Sequence, residues 1–266
     1  MEKRILSHLS PGYPWADHFR WLEETDSTND QLKKLARQGA PHGTVLIADR
    51  QSGGHGRMGR NFHSPGGVGI YFSILLRPQC RPEELMHLTC ATAVAMCEAV
   101  EEAAGFRPGI KWTNDLVCGK HKLGGILTEL GFTAKGTVDY AVIGIGINCC
   151  QQRSDFPEDI RSIAAALSMG TGRPIDRARV AAAMMEALHR MDCRLLTEKA
   201  DILDAYRKNC ITIGQEVSLL RVGEPVRHGR AVDMDDEGAL MVEFADGHLE
   251  TVNSGEVSVR GMYGYL

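Results

Sequence analysis

Ten consecutive residues, Gln51-Ser52-Gly53-Gly54-His55-Gly56-Arg57-Met58-Gly59-Arg60, constrain this chain more than any other stretch. Four glycines and two arginines follow an apolar run, Thr44 to Ala48, that reads as a strand. Glycine lets backbone N–H groups approach a ligand, and successive exposed N–H groups form an anion-binding concavity. Arginine adds a charged fork for carboxylate or phosphate. The stretch reads as a mobile, cationic ligand loop. Gly54-x-Gly56-x-x-Gly59 spells the dinucleotide fingerprint, but that fingerprint must open a helix. Here Pro65, Gly66 and Gly67 follow, which break one. A Walker A loop would need Gly-Lys-Ser/Thr at its end, and none is present. An ordinary hairpin is the plainer alternative, and seven glycines between Gly53 and Gly69 exceed what a turn requires.

The 266 residues make one large domain, or one plus a small appendage. A net charge of -4 gives no general attraction to nucleic acid or to an anionic membrane. No run approaches the ~20 apolar residues of a membrane span, and the N-terminal residues lack the apolar core of a secretory signal. The eight cysteines form no C-x-x-C pair, and Cys149-Cys150 is an awkward vicinal pair. Free thiols in a reducing cytoplasm are the expectation.

In chain order, residues 1 to about 20 read as a short lead-in. Trp21 to Thr25 is a possible strand. Asp26-Ser27-Thr28-Asn29 then launches a helix, with Thr28 as N-cap, Gln31 completing a capping box, and Gly39 as the stop. Ser27, Thr28 and Asn29, two hydroxyls and an amide at a helix start, can also hold a polar ligand group. Gly69 to Leu76 is an almost wholly apolar, central strand. From Pro82 a helix runs to Gly105, with Leu85, Leu88, Thr92, Met96 and Ala99 on a core-facing side. Ile110 to Val117 sets Lys111, Trp112, Asn114 and Asp115 in a short, partly apolar stretch, where charge is rarely placed without a partner or ligand. Lys122 stands at the start of a buried strand, before Gly124-Gly125. Val138 to Asn148 is a second long apolar strand ending in Gly144, Gly146 and Asn148. A loop and short helix run from Asp155 to about Met169, Asp176 caps a longer helix, and another spans about Ile202 to Asn209. From Thr212, short alternating runs separated by turn residues describe a small all-β barrel.

Taken together and in this order, these segments resemble the biotin protein ligases. The resemblance runs from Asp26 to the C-terminus. It rests on Asp-Ser-Thr-Asn (26–29), Gln-x-x-Gly-x-Gly-Arg-x-Gly-Arg (51–60), Lys-Trp-x-Asn-Asp-Leu (111–116), Lys-Leu-x-Gly-Ile-Leu (122–127) and Gly-x-Gly-x-Asn (144–148). Each motif alone is weak; five in one order with sensible gaps are specific. The resemblance implies an α+β fold: a catalytic domain over 1–211, with a mixed sheet flanked by helices of the class II synthetase and biotin ligase kind, and an SH3-like barrel over 212–266. It also implies the ligase-only type, without an N-terminal DNA-binding domain and with no DNA partner.

The chemistry so implied is ATP-dependent transfer of biotin to a biotin carboxyl carrier domain, with Mg²⁺ and a biotinyl-AMP intermediate. Lys122 would bridge the biotin carboxylate and the α-phosphate. Arg57, with the N–H groups of Gly54, His55 and Gly56 and the charge of Arg60, would hold the anions. Asp115 would help place Mg²⁺, with Asn114 and Asn148 on the nucleotide side. Ser27, Thr28 and Gln51 would supply hydrogen bonds to the ureido ring, and Asn29 counts among the ligand-binding residues. Leu127, Gly144 and Gly146 would form the apolar slot, with Phe62 in the wall beside the ligands and Gly125 the close backbone approach; Trp112 and Lys111 count among the remaining ligand-binding residues. Three positions depart from the family pattern: His55 where arginine is usual, Thr113 where proline is, and Phe62 where tryptophan often stands. The rivals are a lipoate ligase or octanoyltransferase, which shares the essential lysine, and a non-catalytic biotin sensor. Monomer and homodimer both fit the resemblance.

Overall fold

The computed structural model describes residues 1–221, 223–253 and 258–261. Helix α1 (Glu2–Leu6) and strand β1 (Phe19–Thr25) open the chain. The first twenty residues are more than a lead-in. Ile5, Tyr13 and Trp15 are buried in the main core, and Tyr13 donates its hydroxyl hydrogen to the Met185 carbonyl.

Helix α2 (Thr28–Arg37) follows, then β2 (Thr44–Gln51), β3 (Gly69–Leu76) and the long helix α3 (Leu88–Ala104). Pro82 starts only a short 3₁₀ turn, and α3 begins six residues later and ends on left-handed Gly105. Strands β4 (Gly109–Lys111), β5 (Asp115–Cys118), β6 (His121–Phe132) and β7 (Val138–Asn148) complete a seven-stranded sheet in the order β1-β2-β3-β7-β6-β5-β4. Only the β1–β2 pair is parallel, so the sheet is mixed, as the resemblance implies.

Residue alternation sorts the two faces of this sheet. Val45, Ile47, Ile70, Phe72, Ile74, Ile143, Ile145 and Ile147 turn to one face, where they join α3 and α6 (Arg177–Arg194) in the main core. Leu46, Leu75 and Val142 turn to the other and meet Leu32 and Ala36 of α2. Further along this second face, cross-strand register sets Ser73 beside Gly144 and Gly144 beside Leu127. The next row runs Tyr71, Gly146, Gly125, Asp115, Lys111. Glycine at 144 and 146 leaves room above the sheet, and the register gathers the separate motifs beside that room.

Two short helices, α4 (Glu158–Arg161) and α5 (Leu167–Thr171), lie between β7 and α6, and α7 (Lys199–Asn209) follows. Asp176 caps α6 as expected, accepting from the N–H groups of Ala178 and Arg179. The C-terminal strands β8 (Glu216–Leu220), β9 (Arg227–Met234), β10 (Leu240–Glu243), β11 (Leu249–Val252) and β12 (Ser258–Gly261) form an antiparallel sheet ordered β11-β10-β9-β8-β12. The ends of two expected runs, Val222 and Val257, lie outside the described residues.

One local expectation is corrected. Ser27, not Thr28, is the N-cap of α2, and its side chain accepts from the Asp30 N–H. Gln31 does not close a capping box; its amide donates to Asp26, which also accepts from the Ser27 N–H. The competing partner is Gln51, which draws both the N–H and the hydroxyl of Thr28 to its own side-chain oxygen.

Candidate active site

A cavity of about 640 Å³ opens on the second face of the seven-stranded sheet, within the range of small-molecule sites. Every site residue expected from the sequence lines it except Gly54. Gly54 instead anchors the loop, its carbonyl accepting from the Phe62 N–H at 2.9 Å.

One end is an apolar slot closed by hydrogen-bonding groups. The Thr28 N–H donates to Gln51 Oε1 at 2.8 Å, and Gln51 Nε2 reaches Ser64 Oγ at 3.2 Å. The two glycines of β7 are needed here. A Cβ on Gly144 would lie 2.3 Å from Asn29 Oδ1, and one on Gly146 would lie 2.4 Å from the Phe62 ring. Asn29 lines the slot with its amide already engaged, donating to Glu129 and Leu127. Asn148 is held similarly: its Nδ2 donates to the Ala165 carbonyl and its Oδ1 accepts from Gln151.

The other end is cationic. Arg57, Arg60, Lys111 and Lys122 line the cavity against a single carboxylate, Asp115. Lys122 Nζ sits 2.6 Å from Asp115 Oδ1. Arg57 reaches across from the glycine loop and donates to Asn114 Oδ1 at 3.0 Å, and Asn114 donates in turn to the Ile126 carbonyl. Burial lowers the Arg57 pKa, opposed by the charge of Asp115 and reinforced by Arg60. Arginine stays protonated under such shifts, so its charge is held partly desolvated and ready for an anion. His55 lines the cavity beside Arg57, its Nδ1 3.2 Å from the Gly53 carbonyl.

Several participants were missed from the sequence. Phe156, Ile160, Ile163 and Ala164 form an apolar wall at the cationic end. They arrive there because Lys122 donates its N–H to the Ile163 carbonyl and accepts from the Ala165 N–H, both at 2.7 Å. That bridge spans some forty residues of chain, and no local pattern announces it. Ser73, which supports Thr28 and Asn29 from behind, was legible in principle as the one small polar side chain in an apolar strand.

Asp115 fits one ligand of a Mg²⁺ that travels with a nucleotide, because Mg²⁺ takes one or two carboxylates and completes its shell with phosphate oxygens and water. Among the described residues, no group of three or more His, Cys, Asp or Glu is placed to hold a metal by itself. Any such ion therefore depends on its phosphates.

A mixed sheet carrying a cationic cleft at the end of an apolar slot defines the class. Residues 21–148 match the Biotin/lipoate A/B protein ligase family, and residues 212–260 match the Biotin protein ligase C terminal domain. The bifunctional ligase/repressor BirA of Bacillus subtilis is 36% identical over 231 residues, covering 86% of this chain and 70% of that protein. The biotin–[acetyl-CoA-carboxylase] ligase of Mycobacterium tuberculosis is 30% identical over 241 residues, covering 89% and 86%. Among solved structures, the biotin protein ligase of Aquifex aeolicus in complex with biotin and ATP superposes with a TM-score of 0.76 at 31% identity, covering 91% of this chain and 98% of that one. The chain belongs to the biotin protein ligase family.

Proposed function

We propose that this protein attaches biotin to a lysine of a carboxylase's biotin carrier domain, by way of biotinyl-AMP made from biotin and ATP. The observation that carries the reading is the junction of slot and cationic cleft: Lys122 and Arg57 lie where an acid held in the slot would meet a nucleotide phosphate.

In the first step a biotin carboxylate oxygen attacks the α-phosphorus. The bond from that phosphorus to the pyrophosphate oxygen breaks, and its electron pair leaves with pyrophosphate. Two anions must meet, so catalysis is mostly positioning and charge neutralisation. Lys122 bridges carboxylate and α-phosphate, and Asp115, its partner at 2.6 Å, holds the ammonium in place beforehand. Arg57 and the loop N–H groups cover the phosphate, while Lys111 and Asn114 flank the nucleotide. Asp115 would hold Mg²⁺, which would supply charge neutralisation for the departing pyrophosphate. The wall of Phe156, Ile160 and Ile163 offers the adenine an apolar surface. In the second step the acceptor lysine's amine attacks the acyl carbon and AMP leaves, with the loop keeping water from the anhydride meanwhile.

The eight cysteines are all free, which suits a reducing compartment, and we place the protein in the cytoplasm. Among the described residues, no helix is long and apolar enough to cross a membrane. Labelled biotin offered with Mg·ATP and a purified biotin carrier domain tests the reading. Label on the acceptor lysine, lost when that lysine is replaced, is the expected result; label that stays off the carrier overturns it.

A further inference from the structure

Ile163, Ala164 and Ala165, at the edge of the apolar wall, have every main-chain N–H and carbonyl hydrogen-bonded. The N–H groups of Ile163 and Ala164 donate to the Ile160 carbonyl at 3.0 and 2.9 Å. The Ile163 carbonyl and the Ala165 N–H pair with the two main-chain groups of Lys122, both at 2.7 Å. The remaining carbonyls are met by side chains. Arg153 Nη1 lies 2.6 Å from that of Ala164, and Asn148 Nδ2 lies 3.0 Å from that of Ala165.

Two residues that do not line the cavity complete this arrangement. Arg153 Nη1 also donates to the Arg161 carbonyl at 2.8 Å, so one nitrogen gives both its hydrogens to carbonyls on either side of Ile163. Gln151 is buried, and its Nε2 donates to Asn148 Oδ1 at 3.0 Å. A carbonyl only accepts, so Asn148 turns Nδ2 to Ala165 and leaves Oδ1 for the donor that Gln151 supplies. A loop held in its binding shape beforehand avoids the ordering cost when ligand arrives. Here the loop is also joined to Lys122 through that residue's own backbone, so a shift of Ile163 or Ala165 pulls on the lysine.

We propose that Arg153 and Gln151 are positioning residues that hold the apolar wall and the Lys122 main chain as one unit, so that seating the nucleotide base and placing the lysine ammonium depend on the same hydrogen bonds. This rests on the ligase reading above and deepens it. Arg153 acts through the carbonyls of Arg161 and Ala164, and Gln151 acts through Asn148. Loosening either one frees the wall on its outer side, and the two bonds to Lys122 carry that movement into the cationic end.

The test follows single-turnover pyrophosphate release at saturating biotin over a range of Mg·ATP concentrations, in wild-type protein, Arg153→Met, Arg153→Lys and Gln151→Met. Arg153 is exposed, so Arg153→Met removes the donors without emptying the core, and carries the comparison should Gln151→Met not fold. Arg153→Met should raise the half-saturating ATP concentration by about tenfold, the scale of a lost charged hydrogen bond. Its limiting rate at saturating ATP should stay lowered by about fivefold or more, because filling the site does not return a displaced lysine. Gln151→Met, which removes the donor and keeps much of the volume, should move both quantities the same way. Arg153→Lys, whose ammonium still donates to carbonyls, should lie nearer wild type than Arg153→Met does. A merely structural role would lower the rate with the folded fraction and leave the half-saturating ATP concentration unchanged, and that result overturns the proposal. So does a limiting rate that recovers fully at saturating ATP in both Met variants, since wall and lysine would then be independent. Wild-type protein that releases no pyrophosphate with biotin overturns the ligase reading itself, and the proposal with it.

Discussion

Trp112 Nε1 donates to the Gly238 carbonyl at 3.0 Å, joining the turn between Lys111 and Asn114 to a tight turn of the C-terminal sheet. The Trp112 N–H donates to Thr212 Oγ1, Tyr206 donates to the Thr113 carbonyl, and Arg207 donates to the carbonyls of Met234 and Asp235. Lys111 and Asn114 are thus held from behind by residues outside the seven-stranded sheet. Trp112→Phe keeps most of the buried ring and removes the donor. Stability should fall by about 1–3 kcal/mol, the cost of stranding a buried acceptor, and the KM for ATP should rise. Urea unfolding and steady-state kinetics check both, and no change in either contradicts the coupling.

Gly144→Ala should damage both the fold and the slot. Its Cβ would lie 2.3 Å from Asn29 Oδ1, and Asn29 is tied to Glu129 and Ser73 and has little freedom to yield. An overpacking cost of about 1–3 kcal/mol is expected, with a raised KM for biotin. A variant with native melting temperature and native KM would show that Asn29 can move aside.

Arg57 and His55 should control how long the adenylate is kept. Arg57→Ala removes a half-buried charge seated on Asn114, and should speed loss of biotinyl-AMP by about 10-fold or more. His55→Arg restores a permanent cation and should slow that loss. Dissociation of labelled intermediate, chased with unlabelled, reads both; an unchanged rate in His55→Arg would show that the imidazole already suffices.

Acid should weaken the fold through His87. Burial pulls this imidazole below its ordinary value of 6.5, with the Leu195 carbonyl opposing. Its Nε2 hydrogen goes to Leu195 at 2.8 Å, and its Nδ1 is buried without a partner. The folded pKa is lowered, so on acidification the unfolded chain takes up a proton before the folded one does. Stability from this group is therefore whole above 6.5 and falls as pH drops from there toward the folded pKa. The urea midpoint should be lower at about pH 5.5 than at about pH 7. His87→Gln, which keeps a donor for Leu195 and does not titrate, should show a smaller difference between the two; an equal difference would assign the effect elsewhere.

How much of this was legible beforehand follows from where each signal lies. Apolar runs and the Gly105 and Asp176 caps gave most elements, because period and capping are local. The cationic end was readable too: Lys111, Asp115 and Lys122 are charges inside apolar strands, which local chemistry flags. Thr28 was misread because its hydroxyl answers to Gln51, twenty-three residues away, rather than to its own helix. The wall from Phe156 to Ala164 was invisible, since it depends on a bridge to Lys122 that only the folded chain makes. Ile5, Tyr13 and Trp15 were passed over because they sit among glycine and proline with no period to reveal a buried face.

The most direct test of the central claim is pyrophosphate release from Mg·ATP by purified protein given biotin, lipoate or octanoate separately, beside Lys122→Ala. Release with biotin alone, falling by about 100-fold or more in the folded variant, is the predicted result. Release with lipoate or octanoate in place of biotin, or near-normal release without Lys122, would contradict the account.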